Sequence, residues 1–289
     1  MKNFFRRSKK DSLAVWREAL KDHDPPRFGQ GVTALLSELR NPDASQTRIV
    51  RQLESHPALV VDVLRSVNSA GFGLGRSVDS LDHAIALLGR SALELLVLGQ
   101  SARRALPNPK AAGFDLRRFW TSSFARAGLA RALSNRLHPS EGPLCFIAGL
   151  LQDMAIPLAV EAQPDSYSKV LEAWHAAPEL DLADIEREML GWTHGDLGAH
   201  LGVVWDLPES LVNAIAFHHN PLDFDPEGGL LAVQLVSAYR ETRREHGIEG
   251  LVHEARDRFG LDPDWTLATI EAVQGEAEQM ASEALRQAG

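Results

Sequence analysis

Cysteine is nearly missing from this sequence: Cys145 is the single example in 289 residues. No disulfide can form within the chain, and no cysteine-rich zinc module can be built. The setting of Cys145, GPLCFIAGLL, is apolar and reads as a buried small hydrophobe rather than a reactive thiol. The dipeptides Asn-Gly and Asp-Gly, which mark tight hairpins, do not occur, and no sustained alternation of apolar and polar residues suggests strands. Apolar runs fall short of the roughly 20 residues that cross a bilayer, and the amino terminus has no hydrophobic region followed by a cleavage site. No transmembrane segment and a cytoplasmic location are therefore expected. Basic charge is scarce as well. The formal net charge is −9, and the opening MKNFFRRSKK holds five basic residues and no acidic one, which leaves 25 basic against 39 acidic residues elsewhere. Such an acidic body repels phosphates, so no nucleic-acid binding is expected of it.

What is present is an ordinary globular composition, 44% hydrophobic and 24% charged, arranged with helical period. In GVTALLSELR, Val32, Leu35, Leu36 and Leu39 fall at i, i+3, i+4 and i+7, on one helical face. Asn41-Pro42 stops that helix, Ser45 can cap the next, with Ile49, Val50 and Leu53 inward, and Pro57 suits the first turn of another through Leu59, Val63, Leu64 and Val67. Near the end, LDPDW reads as a cap followed by proline, opening a helix with Trp265, Leu267, Ile270 and Val273 available for packing. The fold class is all-α. Pro107, Pro109 and Gly113 interrupt the pattern and mark the main boundary. The expected organisation is a basic tail and leading helix over 1–24, an amino-terminal helical subdomain over 25–110, and a larger helical subdomain over 111–289, packed together.

Histidine is where chemistry gathers. The run from Trp192 to Pro221 carries His194, His200, His218 and His219, and AGLLQDMA places Gln152 beside Asp153. Five blocks in order, PALVVDVLRSVNSAGFG, SLDHAIALLGRSALELLVLG, FWTSSFARAGLA, FIAGLLQDMA and THGDLGAHLGVVWDLPESLVNAIAFHHNP, resemble the successive blocks of HDOD proteins. The resemblance covers about residues 27 to 285 and implies a bacterial signalling domain with the helical fold of the HD phosphohydrolases, degenerate in its metal ligands. In those hydrolases a histidine, a His-Asp pair, further histidines and a last aspartate converge on one or two metals, which lower the pKa of bound water and neutralise phosphate charge. Carried over, the first histidine falls at Ser122, the pair has become Gln152-Asp153, His194, His218 and His219 match later histidines, and the last aspartate falls at Ser237 or Ala238. Serine and glutamine are poor ligands. The resemblance therefore implies a pocket without metal, cofactor or catalysis, in which Asp153 serves as a buried hydrogen-bonding group.

The surviving histidines have a plainer reading too. His218 and His219 close a helix before Asn220-Pro221, where capping explains them, and adjacent helical positions point about 100° apart, so at most one of the two should face the pocket. The turn NSAGFGLG, with Asn68, Ser69, Gly71, Phe72 and Gly73, is a candidate ligand loop, against a capped helix end with Phe72 plugging the core. It lacks the lysine and hydroxyl residue of a P-loop.

Three functions compete. The preferred expectation is a non-catalytic signalling module that binds a regulatory protein partner or a small signalling ligand. A metal-dependent phosphohydrolase, such as a cyclic-dinucleotide phosphodiesterase, would use a reduced site of Asp153, His194 and His218 or His219. A membrane- or nucleic-acid-associated adaptor would act through Phe4, Phe5 and the basic residues of the tail.

Overall fold

The structure is a computed structural model that describes residues 15–21, 23–69, 77–177, 180–219 and 247–288. Among these residues there is no strand, and the all-α class holds. After a helical segment at 15–20, the first group of helices is α1 (Gln30–Arg40), α2 (Gln46–Glu54), α3 (Pro57–Asn68), α4 (Leu81–Leu88) and α5 (Arg90–Ala105). The second begins with α6 (Leu116–Leu137) and turns back through a 3-10 segment into α7 (Gly142–Leu151). It continues with α8 (Ile156–Ala162), α9 (Pro164–Ala176), α10 (Leu182–Leu190), α11 (His194–Val204), α12 (Glu209–Ala216), α13 (Ile248–Phe259) and α14 (Pro263–Ala288).

Local chemistry sets these limits. Ser45, Ser80, Asp115 and Asp181 each accept from a backbone N–H in the first turn of the helix that follows. Asn41 ends α1 and Pro57 occupies the first turn of α3, as the sequence predicts. Asp262 accepts from the Trp265 N–H at the start of α14. The inward stripe there differs from the expected one. Leu267 is 41% exposed while Thr266 is buried, because the register runs Thr266, Ile270, Val273, Ala277 in steps of four, three and four.

The helix pair α6 and α7 forms the centre, with α14 along α6 and α5 against α7. Close approach is made possible by glycine. A Cβ on Gly149 of α7 would fall 2.8 Å from the Arg126 carbonyl oxygen of α6, and one on Gly99 of α5 would strike the Ile147 side chain. One hydrophobic cluster joins Leu35, Leu96, Phe146 and Leu197, so the core is continuous across the boundary marked by the prolines. The stretch Pro139–Ala162 is, against expectation, long and apolar enough to cross a membrane, with mean hydropathy 1.7, yet 78% of its most apolar window is buried inside the protein. The sequence reading overlooked it because Gln152 and Asp153 break the run.

On the amino-terminal side, Asn68, the last residue of α3, is tied to Val78. Its Oδ1 accepts from the Val78 N–H at 2.7 Å and its Nδ2 donates to the Val78 carbonyl at 2.7 Å, while Ser69 Oγ donates to the Ser66 carbonyl. Gly71, Phe72 and Gly73, like Phe4, Phe5, Ser237 and Ala238, lie outside the described residues. Earlier on α3, buried Asp62 takes Arg103 at 2.7 Å and Arg104 at 2.7 Å, and Arg65 reaches Glu283 of α14 at 2.7 Å.

Candidate functional site

Helix ends build the site. Asp153 stands in the turn just past α7, His194 is the first residue of α11, and His218 and His219 follow the last turn of α12. The α11 start is fixed by a capping box in which Thr193 and Asp196 satisfy each other's backbone N–H. The chain leaves helical geometry at Phe217, so the expected 100° separation no longer applies and both His218 and His219 turn into the pocket. That corrects the expectation that at most one of them would.

Each imidazole is held by its Nδ1. His194 Nδ1 lies 2.7 Å from Glu186 Oε2, His218 Nδ1 lies 2.7 Å from the Ile215 carbonyl, and His219 Nδ1 lies 2.8 Å from Asp181 Oδ1. A carbonyl only accepts, and the carboxylates accept as well, so each Nδ1 is the donor. The three Nε2 atoms are thereby turned toward one another and toward Asp153. His194 Nε2 is 3.1 Å from His218 Nε2 and 2.8 Å from His219 Nε2, and Asp153 Oδ1 is 3.0 Å from His218 Nε2 and 3.4 Å from His194 Nε2.

Positive charge is what this convergence requires. Burial presses His194 down, but the Glu186 and Asp153 carboxylates outweigh it and lift its pKa to about 10, so a proton occupies the meeting point. Burial and the neighbouring His218 push His219 down to about 3, leaving it neutral and able to accept. Burial works against the Asp153 carboxylate, yet the Arg126 guanidinium and the histidines hold it well below the usual carboxylate range.

The same convergence fits a metal. A tetrahedral ion with ligand distances of about 2.0–2.1 Å needs neighbouring ligand atoms roughly 3.3 Å apart; the ligand atoms of Asp153, His194, His218 and His219 all lie within 4.8 Å of one another. Three imidazoles and one carboxylate suit zinc, iron or manganese, and each imidazole already has the outer partner that orients a ligand. The pocket expected to lack metal keeps four groups close enough together to hold an ion.

The other face of Asp153 differs. Arg126 on α6 pairs with Asp153 Oδ2. Ser122, one turn earlier on the same helix, and Gln152 line the pocket with it. Gln152 is 3% exposed, and its Oε1 has no hydrogen-bond partner among the described residues. An arginine therefore supplies the cation on the side where the metal-binding histidines of the resemblance are replaced. Arg126, Glu186 and Asp181 escaped the sequence reading. Arg126 had a signal, its i+4 spacing from Ser122, whereas Glu186 is brought to His194 only by the packing of α10 on α11.

An all-helical protein with a histidine-rich HD-type pocket is the class that this fold and site define. The HDOD domain profile matches residues 26–221. The chain belongs to the HDOD domain family. It is 27% identical over 201 residues to an uncharacterized protein of Treponema pallidum (strain Nichols), a match covering 68% of this chain and 38% of that protein. The chain thus matches well under half the length of that relative. Its fold is similar to that of a protein from Shewanella amazonensis described as a candidate phosphohydrolase, with TM-score 0.69, 25% identity, and 94% and 98% of the two chains covered. It is also similar to an HDOD domain protein of unknown function from Geobacter sulfurreducens, with TM-score 0.68, 17% identity, and 96% and 98% covered.

Proposed function

We propose that this chain is a signalling module whose former hydrolase pocket has become a binding site, holding one divalent transition ion and a small ligand without cleaving it. The observation that carries the reading is the fixing of all three Nδ1 atoms by outward acceptors, which leaves three Nε2 atoms and Asp153 Oδ1 facing one point. His194, His218, His219 and Asp153 would hold the ion. Once bound, it supplies a Lewis-acidic contact for an anionic oxygen. Loss of hydrolysis is argued from the opposite face, where Ser122 and Gln152 are poor ligands and Arg126 already occupies Asp153 Oδ2. A two-metal clamp on a phosphate cannot be assembled from these described residues. The signal would then pass to a regulatory protein partner through the helical surface.

A second reading, a single-metal phosphohydrolase, is favoured by the same ligand set and by the likeness to the Shewanella protein. One experiment separates the two: elemental analysis of protein purified without chelators, with a phosphodiesterase assay alongside. About one equivalent of metal and no turnover supports the binding module. Turnover that disappears in Asp153→Ala makes the protein an enzyme, and absence of metal removes the metal from both readings.

A further inference from the structure

The pocket that receives the metal ligands extends beyond them as a cavity of about 200 Å³ between the start of α6, the turn after α7, and α9. Its two ends differ in chemistry. At the inner end, Arg126 is 9% exposed and Gln152 3% exposed, and neither the Arg126 Nε nor the Gln152 Oε1 has a hydrogen-bond partner among the described residues. Leaving such atoms unpaired costs stability, and an ordered water or a bound polar ligand would satisfy them. Arg126 is a permanent cation that already gives one nitrogen to Asp153, so its Nε–H remains for an oxyanion. The Gln152 amide carries both a donor and an acceptor and can serve either side of a polar group by turning over.

The outer end carries aromatic side chains. Phe114 and Phe119, with ring centroids 5.8 Å apart, and Trp174, 5.5 Å from the His175 ring, line the same cavity. Aromatic walls select a planar body through stacking. Size then decides between candidates. A cavity of about 200 Å³ is small beside the roughly 300–1,000 Å³ of drug-sized pockets, so a single ring suits it better than a cyclic dinucleotide.

From these two ends we infer that the pocket binds a small aromatic oxyanion, a single ring bearing one phosphate or carboxylate, with the anion on Arg126 and Gln152 and the ring between Phe119 and Trp174. This deepens the binding-module reading and rests on it. It adds what that reading left open, the chemical class of the ligand and the residues that select it.

The test is calorimetric titration of the full-length, metal-loaded protein with three probes: phenyl phosphate, inorganic phosphate and benzyl alcohol. Phenyl phosphate is expected to bind more tightly than either of the others, since it alone satisfies both ends. Arg126→Gln should weaken it roughly tenfold or more, the usual effect of losing a charge-assisted hydrogen bond. Trp174→Ala should weaken phenyl phosphate while leaving inorganic phosphate unchanged. Because Arg126→Gln also disturbs Asp153, Gln152→Leu serves as the second variant and should weaken phenyl phosphate several-fold with the metal retained. Metal content and melting temperature are measured on every variant. Binding of phenyl phosphate no tighter than benzyl alcohol to folded, metal-loaded protein overturns the ligand assignment alone. Protein that never takes up metal, yet binds phenyl phosphate through Arg126, overturns the metal and leaves the ligand assignment standing.

Discussion

Glu186 Oε2 accepts from His194 twice, from the backbone N–H at 2.9 Å and from the ring Nδ1 at 2.7 Å. Glu186 is fully buried, and Tyr167 donates its hydroxyl to the other carboxylate oxygen. The pair therefore sets both the position and the tautomer of the imidazole. Glu186→Gln keeps the shape but can present an amide N–H to the ring, and we expect it to weaken metal affinity by roughly 10 to 100-fold. Competition with a chromophoric chelator measures this. Unaltered affinity would show that the His194 ring is held by packing instead.

An ion held by these residues would compete with a proton for the same nitrogen. The His194 pKa is raised to about 10, so in the metal-free protein the ring is protonated throughout the neutral range, and an ion must displace that proton. Apparent metal affinity should rise by about tenfold per pH unit between about pH 6 and pH 8, with roughly one proton released per ion bound. Titration in two buffers of different ionisation enthalpy counts the proton. A pH-independent affinity contradicts the assignment of His194 as a ligand.

Buried Asp62 is the anion for Arg103 and Arg104, each at 2.7 Å. Arg103 is itself buried, and that burial lowers its pKa against the pull of Asp62. Asp62→Ala would leave the Arg103 guanidinium buried without its counter-charge. The expected cost is about 3–5 kcal/mol in urea unfolding. A change under ~1 kcal/mol would mean that Arg103 escapes to solvent.

Two glycine substitutions should move stability in opposite directions. A Cβ on Gly149 meets the Arg126 carbonyl at 2.8 Å and the Ala127 Cα at 3.0 Å, backbone atoms that cannot turn aside. Gly149→Ala should destabilise by about 1–3 kcal/mol and disturb Asp153, four residues on. A Cβ on Gly275, inside α14, meets nothing within 4 Å. Gly275→Ala should stabilise by roughly 0.5–1 kcal/mol through helix propensity alone. Thermal melts of both variants check the pair.

The helical class was legible because period and caps are local: Leu35, Leu36 and Leu39 on one face, Ser45 and Asp262 at helix starts, Pro57 in a first turn. The register of α14 was not, since Leu267 is the more apolar residue and tertiary packing rather than local preference brings Thr266 inward. At the site, Asp153, His194, His218 and His219 were legible from the family resemblance, whereas their convergence was not. Whether four remaining groups converge is a question of distance, and sequence spacing contains no distance across helices. The partnership of Arg126 with Asp153 and of Asp181 with His219 belongs to the same class of fact.

The tryptophans near the amino-terminal side give the pocket a mechanical connection. Trp16 lies with its ring 5.0 Å from that of His200 on α11, while Trp205, just past the end of α11, donates its Nε1–H to the Pro26 carbonyl at 2.7 Å and stacks on Phe28 at 5.1 Å. The helix strapped down in this way is the one that opens with His194. Both contacts pin the body and the far end of α11 to the amino-terminal segment, so the reach of His194 Nε2 to Asp153 is set partly from outside the pocket.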